Sequence, residues 1–316
     1  MTYRSSPRIG LVTGETAPNL TEDGQALQTE LGNRGFSAES VLWTDSTVEW
    51  DSFDVVLVRS CWEYHSQLDA FQNWLDRIEN VDVVLLNSAD TIRWNHHKFY
   101  LRDLEQRGVS ILPTTWVERS TEIDLRTVLE YDDWREVVVK PAVGTSSSGV
   151  WRTSHDEARK HQQRFEDIIS SNDVLIQQFA PEIEDGERSL VFFEGSFSHA
   201  TRQLPAADDF RAHPNYGGSS EPYEPPREIV EQAAAVLEAA GKELGTSPID
   251  FTYARVDGIE RGDEFLLMEL ELIEPYLNLD AGEDAVAVFT DAIEAGVARH
   301  ATAPAENHRS SPRTDD

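Results

Sequence analysis

Apolar positions in the first ninety residues fall into two alternating patterns. The stretches 9–13 (IGLVT), 54–59 (DVVLVR) and 83–87 (VVLLN) are short runs apolar on both faces, as buried parallel strands are. Between the last two, Phe71, Trp74, Leu75 and Ile78 recur at i, i+3, i+4 and i+7, the stripe of a helix packed on one side. Strands alternating with helices predict a βα layered region around a parallel sheet. Ligands of such sheets lie beyond the carboxyl ends of the strands, where RSCWEY (59–64) falls. Arg59, Trp62 and Tyr64 are therefore expected to face a substrate pocket, although Trp62 equally suits core packing.

The pattern then changes. A helix is predicted over 97–106, stopped by Gly108, and 111–116 (ILPTTW) reads as an extended segment broken by Pro113. A helix before Tyr131, a strand at 136–140 (EVVVK), a loop and a strand at 149–152 (GVWR) follow. Ser154 with Glu157 three residues on predicts the capped start of another helix, and 174–179 (VLIQQF) is a strand. Strands at 189–193 and 197–202 flank Glu194-Gly195-Ser196, a hairpin signal. A helix over 226–244, strands at 249–257 and 265–271, and a helix over 284–299 complete the pattern. Residues 301–316 are polar and expected to be disordered. The fold class is α/β, becoming α+β in the later part.

Composition narrows the function. The formal charge of −31 is spread along the chain, and lysine is scarce beside arginine. Such a surface repels nucleic acid and anionic membranes, so neither is expected as a partner. Dispersed acidity with little lysine also resembles proteins of salt-loving organisms, whose ions screen the self-repulsion; an ordinary solvated acidic surface is the simpler alternative. No apolar run approaches the ~20 residues of a membrane span, and the first residues lack the apolar stretch of a secretory signal. Cys61 is the sole cysteine, which excludes an internal disulfide and fits a reducing cytoplasm.

Two of the four lysines stand in suggestive places. Lys140 closes a valine run and opens a small-residue loop: Gly144, Thr145, Ser146, Ser147, Ser148 and Gly149. The spacing is that of a Walker loop, but Val150 and Trp151 replace its lysine and hydroxyl residue. A hairpin of small residues can lay N–H groups and hydroxyls against phosphate oxygens, with Lys140 adding a point charge. Taken alone, an ordinary glycine-serine hairpin beside a snorkelling lysine fits as well. Lys98 opens the helix after RWNHH, where a plain surface residue would also fit.

The acidic signal is stronger. Glu269 and Glu271 lie two apart in an apolar strand and share a face, with Met268 and Leu270 on the other. Asp257 ends the preceding strand, and a short connection through Gly258 and Gly262 suits antiparallel neighbours, so the three carboxylates can converge. Clustered negative charge needs a cation, and hard oxygen ligands suit Mg2+ on nucleotide phosphates. A solvated acidic face is the alternative in so acidic a chain.

N-x-x-K, V-V-K-P before a small-residue loop, then R-x-D and E-x-E late in the chain resemble the ATP-grasp superfamily. Together with 59–66 (RSCWEYHS), 93–104 (RWNHHKFYLRDL), 108–116 (GVSILPTTW), 186–205 (GERSLVFFEGSFSHATRQLP), 209–218 (DFRAHPNYGG) and 269–277 (ELELIEPYL), they resemble the subgroup of prokaryotic glutathione synthetase and the cycloserine-forming ligase. The resemblance runs from about residue 9 to 298. It implies an N-terminal βα substrate domain (1–110), a central lid (111–180), a C-terminal metal-binding part (181–300) and a tail (301–316). It implies that Lys98 and Lys140 contact ATP phosphates under the loop Gly144 to Gly149. Gln177, Gln178 and Phe179 would hold the adenine, partly through the backbone, and Glu187 the ribose or hinge. Asp257, Glu269 and Glu271 would carry one or two Mg2+ ions, or Mn2+. Glu271 stands where the family often has asparagine, which leaves the ion count open. Arg255, Arg211 and Arg202 would face the transferring phosphate and the acyl substrate; a surface ion pair is the alternative for Arg202.

The implied activity is a cytoplasmic ADP-forming ligase that joins a carboxylate to an amine through an acyl phosphate, on small amino-acid-like or peptide substrates. A homo-oligomer is compatible with this reading. Two other readings are an ATP-grasp enzyme that modifies a protein or peptide terminus, and an ATP-binding sensor without turnover. No cysteine pair or His-x3-His spacing points to zinc. His96 and His97 are expected on the surface at a helix start, and His199 packed in a strand or lining the substrate.

Overall fold

The computed structural model describes residues 6–302, with side chains to residue 300. The predicted tail therefore lies almost wholly outside the described residues. Three sheets organise the chain. The first is parallel, in the order β2-β1-β3-β4, built from β1 (Arg8–Thr13), β2 (Ser37–Leu42), β3 (Val55–Ser60) and β4 (Val84–Leu86). Its helices are α1 (Glu22–Asn33) and α2 (Leu68–Glu79). Phe71, Trp74, Leu75 and Ile78 of α2 are all buried, as their spacing requires. β3 is buried at every position, which explains its unbroken apolar run.

The predicted helix over 97–106 is α4 (Tyr100–Gln106), which starts three residues later; a separate helix, α3 (Ala89–Asn95), precedes it, with a joint between them. At that joint the backbone N–H of Lys98 donates to Ala142 O at 2.7 Å, tying the break to the small-residue loop. The second sheet is antiparallel, β5-β8-β6-β7, from β5 (Thr114–Val117), β6 (Glu136–Pro141), β7 (Trp151–Ser154) and β8 (Val174–Gln178). α5 (Leu125–Tyr131) and α6 (Ala158–Ile169) cover one face and bury Leu129, Phe165 and Ile169 against Val137, Val139 and Ile176. Ser154 closes β7 and does not cap α6, whose N-cap is Glu157 without a side-chain hydrogen bond.

The third sheet, β11-β10-β9-β12-β13, is antiparallel. It comprises β9 (Glu187–Phe193), β10 (Ser196–Leu204), β11 (Ser219–Tyr223), β12 (Ala254–Arg261) and β13 (Glu264–Glu271). The β9–β10 turn carries Glu194 and Gly195 at positive φ, as a tight hairpin demands. α7 (Arg227–Leu244) packs on one face, in a core shared with Tyr100, Leu101 and Leu104 of α4. α8 (Ala285–Thr302) lies between this sheet and the first: Phe289 and Ile293 share a core with Ile9, Leu11, Val191 and Phe193.

The strand predicted at 249–257 starts only at Ala254 and runs past Asp257 to Arg261. A 3-10 turn, Pro248–Asp250, precedes it. Asp257 is therefore mid-strand. Beyond it the register slips: Asp257 pairs Glu269 but Gly258 pairs Leu267, so Met268 is the extra residue of a β-bulge. The bulge turns Met268 to the same side as Glu269, against the simple alternation. Gly258 is obligatory there, because a Cβ would meet Leu266 O and the Phe265 ring at 2.5 Å.

Candidate active site

One cleft of about 620 Å3 lies where the three sheets meet. Its lining includes Trp62, Tyr64, Lys98, Lys140, Gly144, Thr145, Ser146, Ser147, Ser148, Gln177, Gln178, Phe179, Glu187, Arg211, Arg255, Asp257, Glu269 and Glu271, so most of the residues singled out from the sequence converge. Gly149 stays outside the lining and serves as a turn residue with φ of +73°.

The central sheet supplies cations and a loop. Lys140, ending the valine run, donates from Nζ to Gln177 Oε1 at 2.8 Å, and Gln177 in turn donates to Thr114 Oγ1 at 3.2 Å. Burial pushes the Lys140 pKa down, and Glu269 and Glu187 only partly oppose this. Burial also acts against the charge of Lys98, but Glu269, with which it is ion-paired, outweighs it and holds its pKa above the ordinary value. Lys98 Nζ also donates to Gly144 O at 3.0 Å. In the loop, Ser146 and Ser147 take positive φ, and Tyr216 donates to Ser147 O at 3.4 Å. Thr145 Oγ1 lies 2.6 Å from Trp62 O and 2.9 Å from His65 Nδ1. The loop is thus docked on the first sheet's 3-10 segment, Trp62–Gln67. That segment is fixed in turn by Glu63, which accepts from Trp43 Nε1 and from Glu15 N, each at 3.0 Å.

The N–H groups of Gln178 and Phe179 are already bonded to Pro113 O and Glu136 O at 2.9 and 3.0 Å. The Phe179 ring carries the Arg152 guanidinium at 3.6 Å.

The third sheet supplies the carboxylates. Asp257 and Glu269 are directly cross-strand, as are Arg255 and Glu271. Arg255 donates to both Asp257 oxygens at 2.9 Å or longer and to Glu271 Oε1 at 2.5 Å. Glu269 is held below the usual carboxylate range because Lys98, Lys140 and Arg255 outweigh its burial. Burial pushes Glu187 up to about 8, with Asp257 adding to the shift, and Glu271 up to about 7 despite Arg255. As arranged, no group of three or more His, Cys, Asp or Glu among the described residues is close enough to chelate an ion. The donor set nevertheless fits one. Asp257, Glu269 and Glu271 stand together with only Lys98 and Arg255 paired to them, and beside the burial that raises Glu187 and Glu271, repulsion from Asp257 and Glu269 adds to the shift. A hard divalent cation would relieve it.

Three expectations need correction. Arg59 does not face the cleft: it is 5% exposed, its guanidinium lies over Tyr253 and Phe289 at 5.0 and 5.4 Å, and it donates to Pro275 O at 3.0 Å. Arg202 is also outside, paired with Glu221 on the neighbouring strand at the exposed edge. His96 is no surface residue; it lines the cleft, burial lowers its pKa, and its Nδ1 has no hydrogen-bond partner. His97 meets Asp173 at 2.9 Å, and His199 is packed, reaching Leu277 O at 2.7 Å. Arg211 does reach the cleft, with its guanidinium 3.4 Å over the Tyr216 ring and bonded to Asp209.

Sequence reasoning missed Glu274 and Asn278, both buried and lining the cleft. Glu274 was visible only as the acidic residue after the E-x-E strand, where no periodicity assigns it a face.

Comparisons with known proteins bear on the family and the fold. Residues 9–87 match the family described as D-cycloserine synthetase DcsG, N-terminal domain, and residues 99–249 match prokaryotic glutathione synthetase, ATP-grasp domain. The cycloserine biosynthesis protein DcsG of Streptomyces lavendulae is 29% identical over 298 residues, covering 90% of this chain and 97% of that one. A glutathione synthetase of Bradyrhizobium diazoefficiens is 27% identical over 186 residues, 56% of this chain and 55% of its own. The crystal structure of D-cycloserine synthetase DcsG superposes with a TM-score of 0.84 at 27% identity, covering 92% of this chain and 99% of that one. D-alanine–D-alanine ligase from Bacillus anthracis, at 17% identity and a TM-score of 0.63 over 93% and 98% of the chains, shares the fold. The chain belongs to the ATP-grasp superfamily, in the subgroup that resembles prokaryotic glutathione synthetase and the cycloserine-forming ligase, and is a ligase of that family.

Proposed function

We propose that this chain is an ATP-dependent carboxylate–amine ligase acting on small amino-acid-like or peptide substrates through an acyl phosphate. The observation that carries the reading is the meeting of two charged walls in one cleft. Lys98 and Lys140 lie on the loop side, and Asp257, Glu269 and Glu271 on the strand side. The substrate carboxylate attacks the γ-phosphorus and ADP leaves; an amine then attacks the acyl carbon and inorganic phosphate leaves, forming the C–N bond. Lys98 and Lys140 neutralise phosphate charge, and Arg255 and Arg211 are placed to hold transferring phosphoryl and carboxylate oxygens. Asp257, Glu269 and Glu271 would hold Mg2+, which supplies further neutralisation at the phosphates. Gln177, Gln178, Phe179 and Glu187 line the part of the cleft that we assign to the nucleoside. The loop Gly144 to Gly149 acts as the lid that keeps water from the acyl phosphate.

The full-length likeness to a protein named D-cycloserine synthetase supports a small substrate over a protein terminus. Among the described residues no helix is long and apolar enough to cross a membrane. The charge of −31 supports a protein of a salt-adapted cytoplasm, and equal stability at low and multimolar KCl would count against that. The test of activity is a screen of carboxylates and amines at high KCl. ADP and phosphate should appear in equal amounts only when both substrates are present. ATP binding without substrate-dependent ADP release across a broad panel would contradict the reading.

A further inference from the structure

The segment after β13 is pinned along its backbone by side chains from elsewhere in the chain. Asn87 donates to Leu272 O at 2.8 Å, Tyr253 to Ile273 O at 2.7 Å, Trp62 to Glu274 O at 3.0 Å and Arg59 to Pro275 O at 3.0 Å. Arg255 then holds Tyr276 O at 2.8 Å, and His199 lies 2.7 Å from Leu277 O. Six successive carbonyls are fixed, so the backbone has little freedom to turn Glu274 elsewhere.

Against that rigidity, the Glu274 side chain is unused. It is 7% exposed, it lines the cleft, and among the described residues its carboxyl has no hydrogen-bond or ion-pair partner. The nearby cations are committed: Lys98 to Glu269 and Gly144 O, Arg255 to Asp257 and Glu271, and Arg59 to Pro275 O. A buried carboxyl without a partner is costly and rare, and here it lies at the wall of a cavity open to ligands. Trp62, whose Nε1 bonds the Glu274 carbonyl, and the buried Tyr64 line the same cleft, and Glu271, Lys98, Glu269 and Arg255 act on the carboxyl by charge; a charge-assisted bond to so buried a carboxyl is stronger than in water.

We infer that Glu274 is the residue that receives the ammonium group of the substrate, and so selects amino acids or amines over otherwise identical compounds without a nitrogen. This deepens the ligase reading and rests on it for the identity of the reaction. The ammonium could belong to the acyl donor, a zwitterion whose carboxylate is activated beside Arg255, or to the incoming amine. The chemistry at Glu274 is the same in either case.

The test uses the full chain with ADP and Mg2+ present and reads binding, so that it does not depend on turnover. Alanine and serine of both hands are titrated against propionate and 3-hydroxypropionate, and simple primary amines form a third arm. The wild type should prefer nitrogen-bearing ligands in the first comparison if the donor's ammonium is bound, or respond to the amines if the acceptor's is. Glu274→Gln should erase about 10- to 100-fold of that preference, the span of a lost charge-assisted bond. Its affinity for ADP and its Mg2+ requirement should stay within about twofold. The inference is overturned if no nitrogen-bearing ligand is preferred, if a folded Glu274→Gln keeps the preference, or if the variant changes the Mg2+ requirement instead. Should Glu274→Gln fail to fold, Glu274→Asp keeps the charge but retracts it, and an undiminished preference there overturns the inference equally. Absence of ADP release from every donor–amine pair in the wild type would defeat the ligase reading and leave this binding result standing by itself.

Discussion

The two walls of the cleft are built differently. On the loop side, Lys98 sits at a break between two helices and Lys140 at a strand end, and the residues between Gly144 and Gly149 take turn conformations held by Thr145 and Tyr216. On the strand side, Arg255, Asp257, Glu269 and Glu271 project from two adjacent strands in the interior of a chain-wide fold, locked by cross-strand pairing and a bulge. The first wall can move by breaking a few hydrogen bonds; the second can move only with its sheet. This is the division expected of a closing lid over a fixed ion-binding floor.

Substitutions can break that comparison, and the largest effect is expected where the walls meet. Lys140→Ala and Glu269→Gln should each cut ADP release by about a thousandfold or more while circular dichroism stays that of the folded protein. Full activity in either would separate the walls functionally. Next in size is Arg255→Met, which strands Asp257, 2% exposed, and Glu271 without their cation. The metal-free protein should lose about 3 kcal/mol or more, and Mg2+ should restore part of the melting temperature; no recovery with Mg2+ would argue against an ion at the strand wall.

A smaller effect has a defined sign. With Glu187 pushed up from 4.5 to about 8, mainly by burial, the folded protein keeps a proton that the unfolded chain releases. The group is neutral in its effect below about 4.5, and stability declines as pH rises through the interval to about 8. Glu187→Gln should therefore gain melting temperature over wild type increasingly from pH 5 to 8 without Mg2+. A constant difference across that range would contradict the shift. Smallest of all, Arg202→Ala should leave turnover within about twofold and cost under ~1 kcal/mol, as an exposed pair does; a large rate loss would return Arg202 to the site.

The strands carrying the site were legible because their constraints are local. Three valines before Lys140 mark an inner strand directly, and the apolar neighbours of Glu269 and Glu271 mark a buried strand, although β13 is an edge of its sheet and not an inner strand. β2 was not legible: SAESVL is mostly polar because it forms a sheet edge, and it buries only Val41 fully. Met268 escaped because a bulge breaks the two-residue period on which face assignment rests. Arg59 escaped for a different reason. It lies at the carboxyl end of a parallel strand, where a ligand contact is expected, but Tyr253, Phe289 and Pro275 arrive from about two hundred residues away to enclose it. Glu274 likewise gains its place from distant partners of its backbone, which no spacing in the sequence reveals.

The most direct measurement is a crystal structure with Mg2+ and a nonhydrolysable ATP analogue. The account predicts triphosphate oxygens contacting Lys98 and Lys140, and metal density bonded to carboxylate oxygens of Asp257, Glu269 or Glu271 at about 2.0–2.1 Å. Phosphates bound away from both lysines, or those three carboxylates remaining on Arg255 and Lys98 with the metal elsewhere, would contradict it.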